Sequence, residues 1–337
     1  MLSEFELIKR YFDKASRCAR LGERPSPEVE LGVGDDCALI RVGQDMELAV
    51  STDMLVEGRH FSAGADPFKL GHKSLAVNLS DMAAMGAAPR WATLALALPG
   101  ADEAWLERFS AGFFTLAERF EVALVGGDTT RGPLNISVTI MGEVPAGLAL
   151  YRAGARPGDD IWVSGELGGA ALGLTHRFGR VPLALGTQEA AAMLGRLDEP
   201  QPRVALGERL RGLASSAIDV SDGFAGDFAH VLERSSVGAL VHYAQIPRPE
   251  AFARIGDREL ERNCVLSGGD DYELVFTAPQ SRRAEIEALA PELGVALTRV
   301  GFVQKGDAKL TLLDANGDPM PAPGGFDHFA EGVTGEP

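Results

Sequence analysis

Glu47-Leu48-Ala49-Val50-Ser51-Thr52-Asp53 reads as a β-strand that ends in small and acidic residues, and the chain then reaches Asp66-Pro67, an N-cap with a first-turn proline. From there Leu70, Leu75, Val77, Leu79, Met82 and Ala83 carry a helix towards Met85 that is apolar almost all round. Strand, loop, helix is the rhythm of an α/β protein. On that helix Ser74, Asn78 and Asp81 recur at i, i+4 and i+7, so they share one face. A carboxylate on so apolar a helix is costly unless it meets a cation or several donors. Asp81 is therefore expected to be buried or cleft-facing, with a metal ion or Lys73 as its partner.

Outward from this stretch the same rhythm continues. Ser3 and Glu6 have capping-box spacing ahead of Leu7, Ile8, Tyr11 and Phe12, which predicts an amphipathic opening helix, and a Gly-rich turn follows at Gly32 to Asp36. Trp105, Phe109, Phe113, Leu116 and Phe120 mark a second helix, and Val122 to Val125 and Ile136 to Val144 read as strands. Tyr151 to Asp159, rich in Gly, Arg and Pro, is the expected linker. Beyond it the pattern predicts strand Ile161 to Ser164, helices near 166–178 and 201–213, strand Ala217 to Val220, helix Gly223 to Glu233 and strand Tyr272 to Thr277. The 337 residues suit two domains, placed here at 1–150 and 151–337, both α/β. One echo links them: Val125-Gly126-Gly127-Asp128 closes a strand in the first, and Ser267-Gly268-Gly269-Asp270 precedes one in the second.

Acidic residues outnumber basic ones 48 to 32, for a net charge of -16, which disfavours nucleic acid and anionic membranes as partners. The three cysteines, Cys18, Cys37 and Cys264, show no C-x-x-C spacing and argue against a disulfide framework or a zinc site. The amino terminus is acidic, and no apolar run approaches the roughly 20 residues of a membrane span. The expectation is a cytoplasmic protein.

Chemistry concentrates in acidic residues at strand ends and glycine turns: Asp35 and Asp36, Asp53, Asp128, Asp219 with Asp222, and Asp270 with Asp271. Turns favour Asp in any protein, but most of these neighbour Gly, Ser or Thr, which let a metal-bound phosphate approach the backbone. Scattered single carboxylates suit Mg²⁺, which takes one or two, keeps waters and completes its shell with substrate phosphates. No calcium-loop run, H-E-x-x-H, P-loop, kinase H-R-D with D-F-G, dinucleotide G-x-G-x-x-G or G-x-S-x-G elbow occurs. Phosphates must then be held another way, with Arg59, His60, Lys73, Arg131 and Arg152 as basic contacts. The start of the helix after Asp219-Val220-Ser221-Asp222-Gly223 either offers amides to a phosphate or is capped by Ser221 or Asp222.

Taken together, Gly34-Asp35-Asp36-Cys37-Ala38, Ser51-Thr52-Asp53-Met54-Leu55-Val56 with His60-Phe61, Ala76-Val77-Asn78-Leu79-Ser80-Asp81, Gly126-Gly127-Asp128-Thr129, Asp219-Val220-Ser221-Asp222-Gly223 and Ser267-Gly268-Gly269-Asp270-Asp271-Tyr272-Glu273-Leu274 resemble the thiamine-monophosphate kinase family in order and spacing. Phe326-Asp327-His328-Phe329 resembles its closing segment, so the likeness spans nearly the whole chain.

The resemblance implies an α/β (α+β), aminoimidazole ribonucleotide synthetase-like fold. In it, residues 1–150 form an ATP- and Mg-binding, dimerising domain that gives strands to a barrel across a homodimer, and 151–337 form a C-terminal α/β domain. It implies several Mg²⁺ ions held by Asp36, Ser51, Thr52, Asp53, Asp81, Asp128, Asp219 and Asp222. It places Gly127, Asp128, Arg152 and Ser221 at ATP, and His60, Asp270 and Phe326 at thiamine monophosphate, with no general base. Asp270 stands where the family commonly has Glu, and Phe326 where it often has Trp or Tyr. The rival readings are another ATP-dependent enzyme of the same superfamily, making a purine intermediate or selenophosphate, and a non-catalytic Mg-nucleotide sensor. Selenophosphate synthesis normally needs an N-terminal Cys or selenocysteine in a Gly-rich loop, which Cys18 and Cys37 do not provide.

Overall fold

The computed structural model describes residues 8–13, 29–31, 39–179 and 183–321. The capping pair Ser3 and Glu6, the Gly34 to Cys37 turn with Asp36, and the Phe326 segment lie outside them; Ile8–Asp13 forms a short π-helical segment. The described chain divides into two compact units. One takes the chain up to Met82 and Ala87–Gly147, the other Ala83–Gly86 and the chain from Leu148 onward.

In the first unit, strands β1 (Val29–Leu31) and β2 (Leu39–Ile40) pair antiparallel. A four-stranded sheet is built from β3 (Met46–Val56), β4 (Ala88–Leu98), β5 (Ala123–Arg131) and β6 (Asn135–Pro145), in the order β3-β6-β4-β5. β3 and β6 run antiparallel in unbroken register from Met46↔Pro145 to Val56↔Asn135, while β4 and β5 run parallel. Because side chains alternate along a strand, this register sorts them onto two faces. Ser51, Asp53 and Leu55 lie on one, in rows with the buried Ile140, Val138 and Ile136. Met46, Leu48, Val50 and Met54 lie on the other and are exposed.

Helix α1 (Pro67–Ala84) covers the first face, its Met82 sulfur sitting over Gly142 of β6, where a Cβ would be 2.9 Å away. Helix α2 (Glu103–Arg119) starts at Asp102, whose side chain accepts from Ala104 and Trp105 amides, and buries Leu106, Phe109, Phe113 and Leu116. The two helices cross backbone to backbone. A Cβ on Gly71 would lie 2.1 Å from the Phe109 carbonyl oxygen, and one on Gly112 would lie 1.8 Å from that of Phe68. Both positions exclude any side chain.

The second unit opens with an irregular stretch through Tyr151 to Asp159, where the linker was expected, and then β7 (Asp160–Ser164). Helices α3 (Gly169–Arg177), α4 (Thr187–Asp198) and α5 (Val204–Leu210) follow, then β8 (Ser216–Asp219), α6 (Phe224–Ser235) and β9 (Gly238–His242). The chain continues through α7 (Ala251–Ile255), α8 (Arg258–Ser267), β10 (Leu274–Ala278), α9 (Arg283–Leu293), β11 (Leu297–Gln304), β12 (Leu310–Leu313) and β13 (Pro319–Met320). The sheet order is β13-β12-β9-β11-β7-β10-β8, antiparallel except for β12 beside β9. Ile161, Val163, Ile218, Val220 and Val275 pack on one sheet face with Phe224, Phe228 and Val231 of α6.

Two expectations are corrected. The strand expected at Val122 to Val125 does not stop before Gly126-Gly127-Asp128 but runs through it, because β5 keeps pairing with β4 past a bulge at Ala92/Thr93. The helix expected over 201–213 is confined to Val204–Leu210, held off by Pro202 at its start. No helix among the described residues is long and apolar enough to cross a membrane.

Candidate active site

The first unit's polar cluster is set by the strand alternation. Ser51 and Asp53 project towards α1, and the Ser51 hydroxyl donates to Asp81 Oδ2 at 2.5 Å. Asp81 is half-buried, and Asn78, one turn earlier on the same helix face, is fully buried. Its Nδ2 donates to the Ser74 carbonyl at 3.1 Å, while its Oδ1 has no hydrogen-bond partner. Asn78 Oδ1 is thus a buried acceptor without a match on the helix face that also carries Asp81, and oxygen ligands are what a hard cation such as Mg²⁺ takes. Among the described residues no three His, Cys, Asp or Glu side chains converge to hold a metal by themselves. A Mg²⁺ ion here would therefore rely on carboxylates in ones and twos together with phosphate and water.

Thr52, on the opposite face, meets Thr139 hydroxyl to hydroxyl at 2.8 Å. At the end of β3 a tight turn returns the chain so that the Val56 amide donates to His60 Nδ1 at 3.0 Å, fixing a half-buried imidazole there. Asp128 stands apart. Its cross-strand row is Met54, Ser137, Ala95 and Asp128, whereas that of Asp53 is Val138, Leu94 and Gly127. The two carboxylates thus occupy opposite edge strands and opposite faces, roughly 14 Å apart by strand spacing alone. Within one chain the sheet does not bring them together. Gly127 (φ 150°) has no room for a side chain, since a Cβ would sit 1.9 Å from the Leu94 carbonyl oxygen.

In the second unit, β8 ends in the buried Asp219, and the turn Ser221-Asp222-Gly223 leads into α6. The amides of all three turn residues donate to one oxygen, Oδ2 of Asp227, at 3.0, 3.0 and 3.1 Å. Neither Ser221 nor Asp222 caps the helix, and the amides of the turn that leads into it are already spent on Asp227. Burial raises the Asp227 carboxyl to about 6, against the lowering effect of those amides.

The segment Ser267 to Tyr272 is strapped to this turn. Asp270 N donates to the Ser221 carbonyl at 2.9 Å and Tyr272 N to that of Val220 at 2.9 Å. Asp270 (φ 68°) and Tyr272 (φ 50°) are both left-handed, a strained choice for non-glycine residues, and the Tyr272 hydroxyl donates to Asp270 Oδ1 at 3.2 Å. Gly269 is required because a Cβ there would lie 2.3 Å from the Ser221 carbonyl oxygen. Asp271 turns the other way and accepts from Gly168 N (2.6 Å) and Ala170 N (3.2 Å) at the start of α3, and burial pushes its carboxyl up to about 7. Glu273 is anchored by a forked contact from Arg203 and by the Ser164 hydroxyl at 2.5 Å. Arg152 is exposed.

The structure therefore joins Ser51 to Asp81 in one unit, and the Asp219 to Asp222 turn to Asp270 in the other. Asp227, Arg203 and Ser164 were missed as supports of these groups. Asp227 carried a readable signal, an acidic residue in the first turn of a helix; Arg203 and Ser164 are distant in sequence from Glu273 and carried none.

Residues 34–144 match the family described as AIR synthase related protein, N-terminal domain. A thiamine-monophosphate kinase of Escherichia coli (strain K12) is 45% identical over 328 residues, covering 97% of this chain and 98% of the relative. The chain belongs to the thiamine-monophosphate kinase family. The crystal structure of the family member from Stenotrophomonas maltophilia K279a superposes with a TM-score of 0.82 at 45% identity, covering 95% of this chain and 98% of that one. A second family structure, AaThiL complexed with AMPPCP and TMP, gives a TM-score of 0.74 at 30% identity over 88% of this chain and 92% of that one.

Proposed function

We propose that this protein phosphorylates thiamine monophosphate to thiamine diphosphate with ATP, by direct in-line transfer assisted by several Mg²⁺ ions. The observation that carries the reading is the Ser51–Asp81 pair, with Asn78 and its unmatched oxygen on the same face of α1, all on the motif residues that mark the family. Asp53, Asp81 and Asp128 in the first unit and Asp219 and Asp222 in the second would hold Mg²⁺, with Ser51 and Thr52 adding hydroxyl oxygens; Asp36 has the same role by sequence. Gly127, Asp128, Arg152 and Ser221 would face ATP, and His60, Asp270 and Phe326 thiamine monophosphate. When bound, the ions supply charge neutralisation for the reacting phosphates.

The acceptor is a phosphate monoester with a second pKa near 6, so at neutral pH it is already mostly dianionic and needs no general base. Repulsion between anions is the barrier: two unit charges about 4 Å apart interact by roughly 4 kcal/mol at an effective dielectric of 20. Side chains that fix cations and phosphates therefore dominate catalysis. The exposed apolar row Met46, Leu48, Val50 and Met54 on edge strand β3 supports a homodimer formed through this sheet, with residues 1–150 as the dimerising, nucleotide-binding domain and 151–337 as the other.

The test is incubation with MgATP and thiamine monophosphate, followed by ³¹P NMR with EDTA and no-thiamine controls. The reading requires a new diphosphate pair together with ADP, both abolished by EDTA. ADP with inorganic phosphate would point to another enzyme of the superfamily, and binding without turnover to a nucleotide sensor.

A further inference from the structure

We propose that Asp227 is the positioning residue of the nucleotide-handling turn, holding Ser221 and Asp222 in place without touching the nucleotide. The inference rests on the kinase reading above and deepens it. One carboxylate oxygen accepts from three consecutive amides, Ser221, Asp222 and Gly223, each within 3.1 Å. Three successive amides pointing at one centre form an anion-binding concavity, and here the protein fills it with its own carboxylate. Asp227 is buried, sits one helical turn beyond Gly223, and lies in sequence between Phe224 and Phe228, whose fully buried rings stack on each other. Its position is therefore fixed by the core of the second unit, and the turn inherits that fixity.

Two consequences follow. The amides of Ser221, Asp222 and Gly223 are spent, so this turn recognises phosphate or cation through the side chains of Ser221 and Asp222 and not through those three amides. The resident negative charge also offsets the positive end of the helix, so the turn does not attract an anion by itself. The strap from Asp270 N to the Ser221 carbonyl holds the same turn from its other side, so Asp227 and the Asp270 loop fix it jointly.

The experiment compares wild type with Asp227→Asn, Asp227→Ala and Asp227→Glu, measuring kcat, KM for ATP, KM for thiamine monophosphate, the Mg²⁺ concentration for half-maximal rate, and Tm. A positioning role predicts that Asp227→Asn keeps its Tm within a few degrees, loses on the order of ten- to hundredfold in kcat/KM for ATP, and needs more Mg²⁺, while KM for thiamine monophosphate barely moves. Asp227→Ala should lose more, and added formate, a carboxylate small enough for the vacated space, should restore part of its rate. Wild-type kcat/KM for ATP in a folded Asp227→Asn protein overturns the proposal. So does a loss that falls equally on both substrates and tracks Tm. If wild type itself makes no thiamine diphosphate, the kinase reading fails instead, and that is seen before any variant is assayed.

Discussion

Ser51 Oγ donates to Asp81 Oδ2 at 2.5 Å, tying the middle of β3 to the last turn of α1. The contact gives Asp81 a neutral donor that orients its carboxylate without adding a charge of its own. Asp81→Asn should therefore lower kcat by about a hundredfold or more while the fold persists, and Ser51→Ala, which only loosens the carboxylate, should lower it by about tenfold. Steady-state rates across a Mg²⁺ titration, with circular dichroism as the control for folding, decide this.

Asp53 and Asp128 lie on opposite faces of one sheet, and each is expected to be needed separately. Asp53→Asn and Asp128→Asn should each nearly abolish turnover. The exposed Asp128 should do so with stability changed by no more than about 0.5 kcal/mol. Wild-type rates in either variant, measured beside urea unfolding, would remove that residue from the metal set.

Arg203 and Glu273 form a charged pair in which the glutamate side chain is 7% exposed and the arginine 22%. Arg203→Ala leaves a buried carboxylate facing only the Ser164 hydroxyl, and should destabilise the protein by about 3–5 kcal/mol. Glu273→Gln, which keeps hydrogen bonds and removes the buried charge, should be milder. Urea midpoints at constant m-value are the measurement.

Asp271 supplies a pH dependence with a definite sign. Its carboxyl is raised in the folded state to about 7 from 3.8, chiefly by burial. The folded protein then binds its proton more tightly than the unfolded chain, so this contribution is complete below the unfolded pKa and is lost as pH rises through the folded one. Asp271→Asn removes that loss. The Tm of the variant relative to wild type should rise steadily between pH 4 and about 7 and then level off, followed by calorimetry; a constant difference would rule the linkage out.

Where the sequence pattern was periodic it located elements well. The Ser74, Asn78, Asp81 face of α1 and the aromatic stripe of α2 are where the spacing puts them, since burying one stripe is what makes those segments helical. Strand β4, Ala88–Leu98, went unread because its run of Ala and Leu has no strand-like alternation and favours helix by propensity; pairing with β6 on one side and β5 on the other decides its state. The motif aspartates were legible as site residues because small neighbours marked them. Which face of the sheet each occupies was not, because that depends on cross-strand register, and neither Asp128 nor Asp53 carries that information locally. The filling of the turn before α6 was hidden for the opposite reason: the sequence offered Ser221 and Asp222 as nearer caps of the helix, and only the fold shows that Asp227 takes the three turn amides.

The crossing at Gly71 and Gly112 bears on how such an enzyme can move. With carbonyl oxygens where side chains would otherwise be, α1 and α2 have no layer of rotamers between them to repack, so sliding or rolling one helix on the other would drive backbone into backbone. Asp81, about 15 Å further along α1, is carried by a helix that cannot shift against its neighbour. The α1 carboxylate thereby serves as a fixed point of its unit, placed by backbone contact and not by side-chain packing.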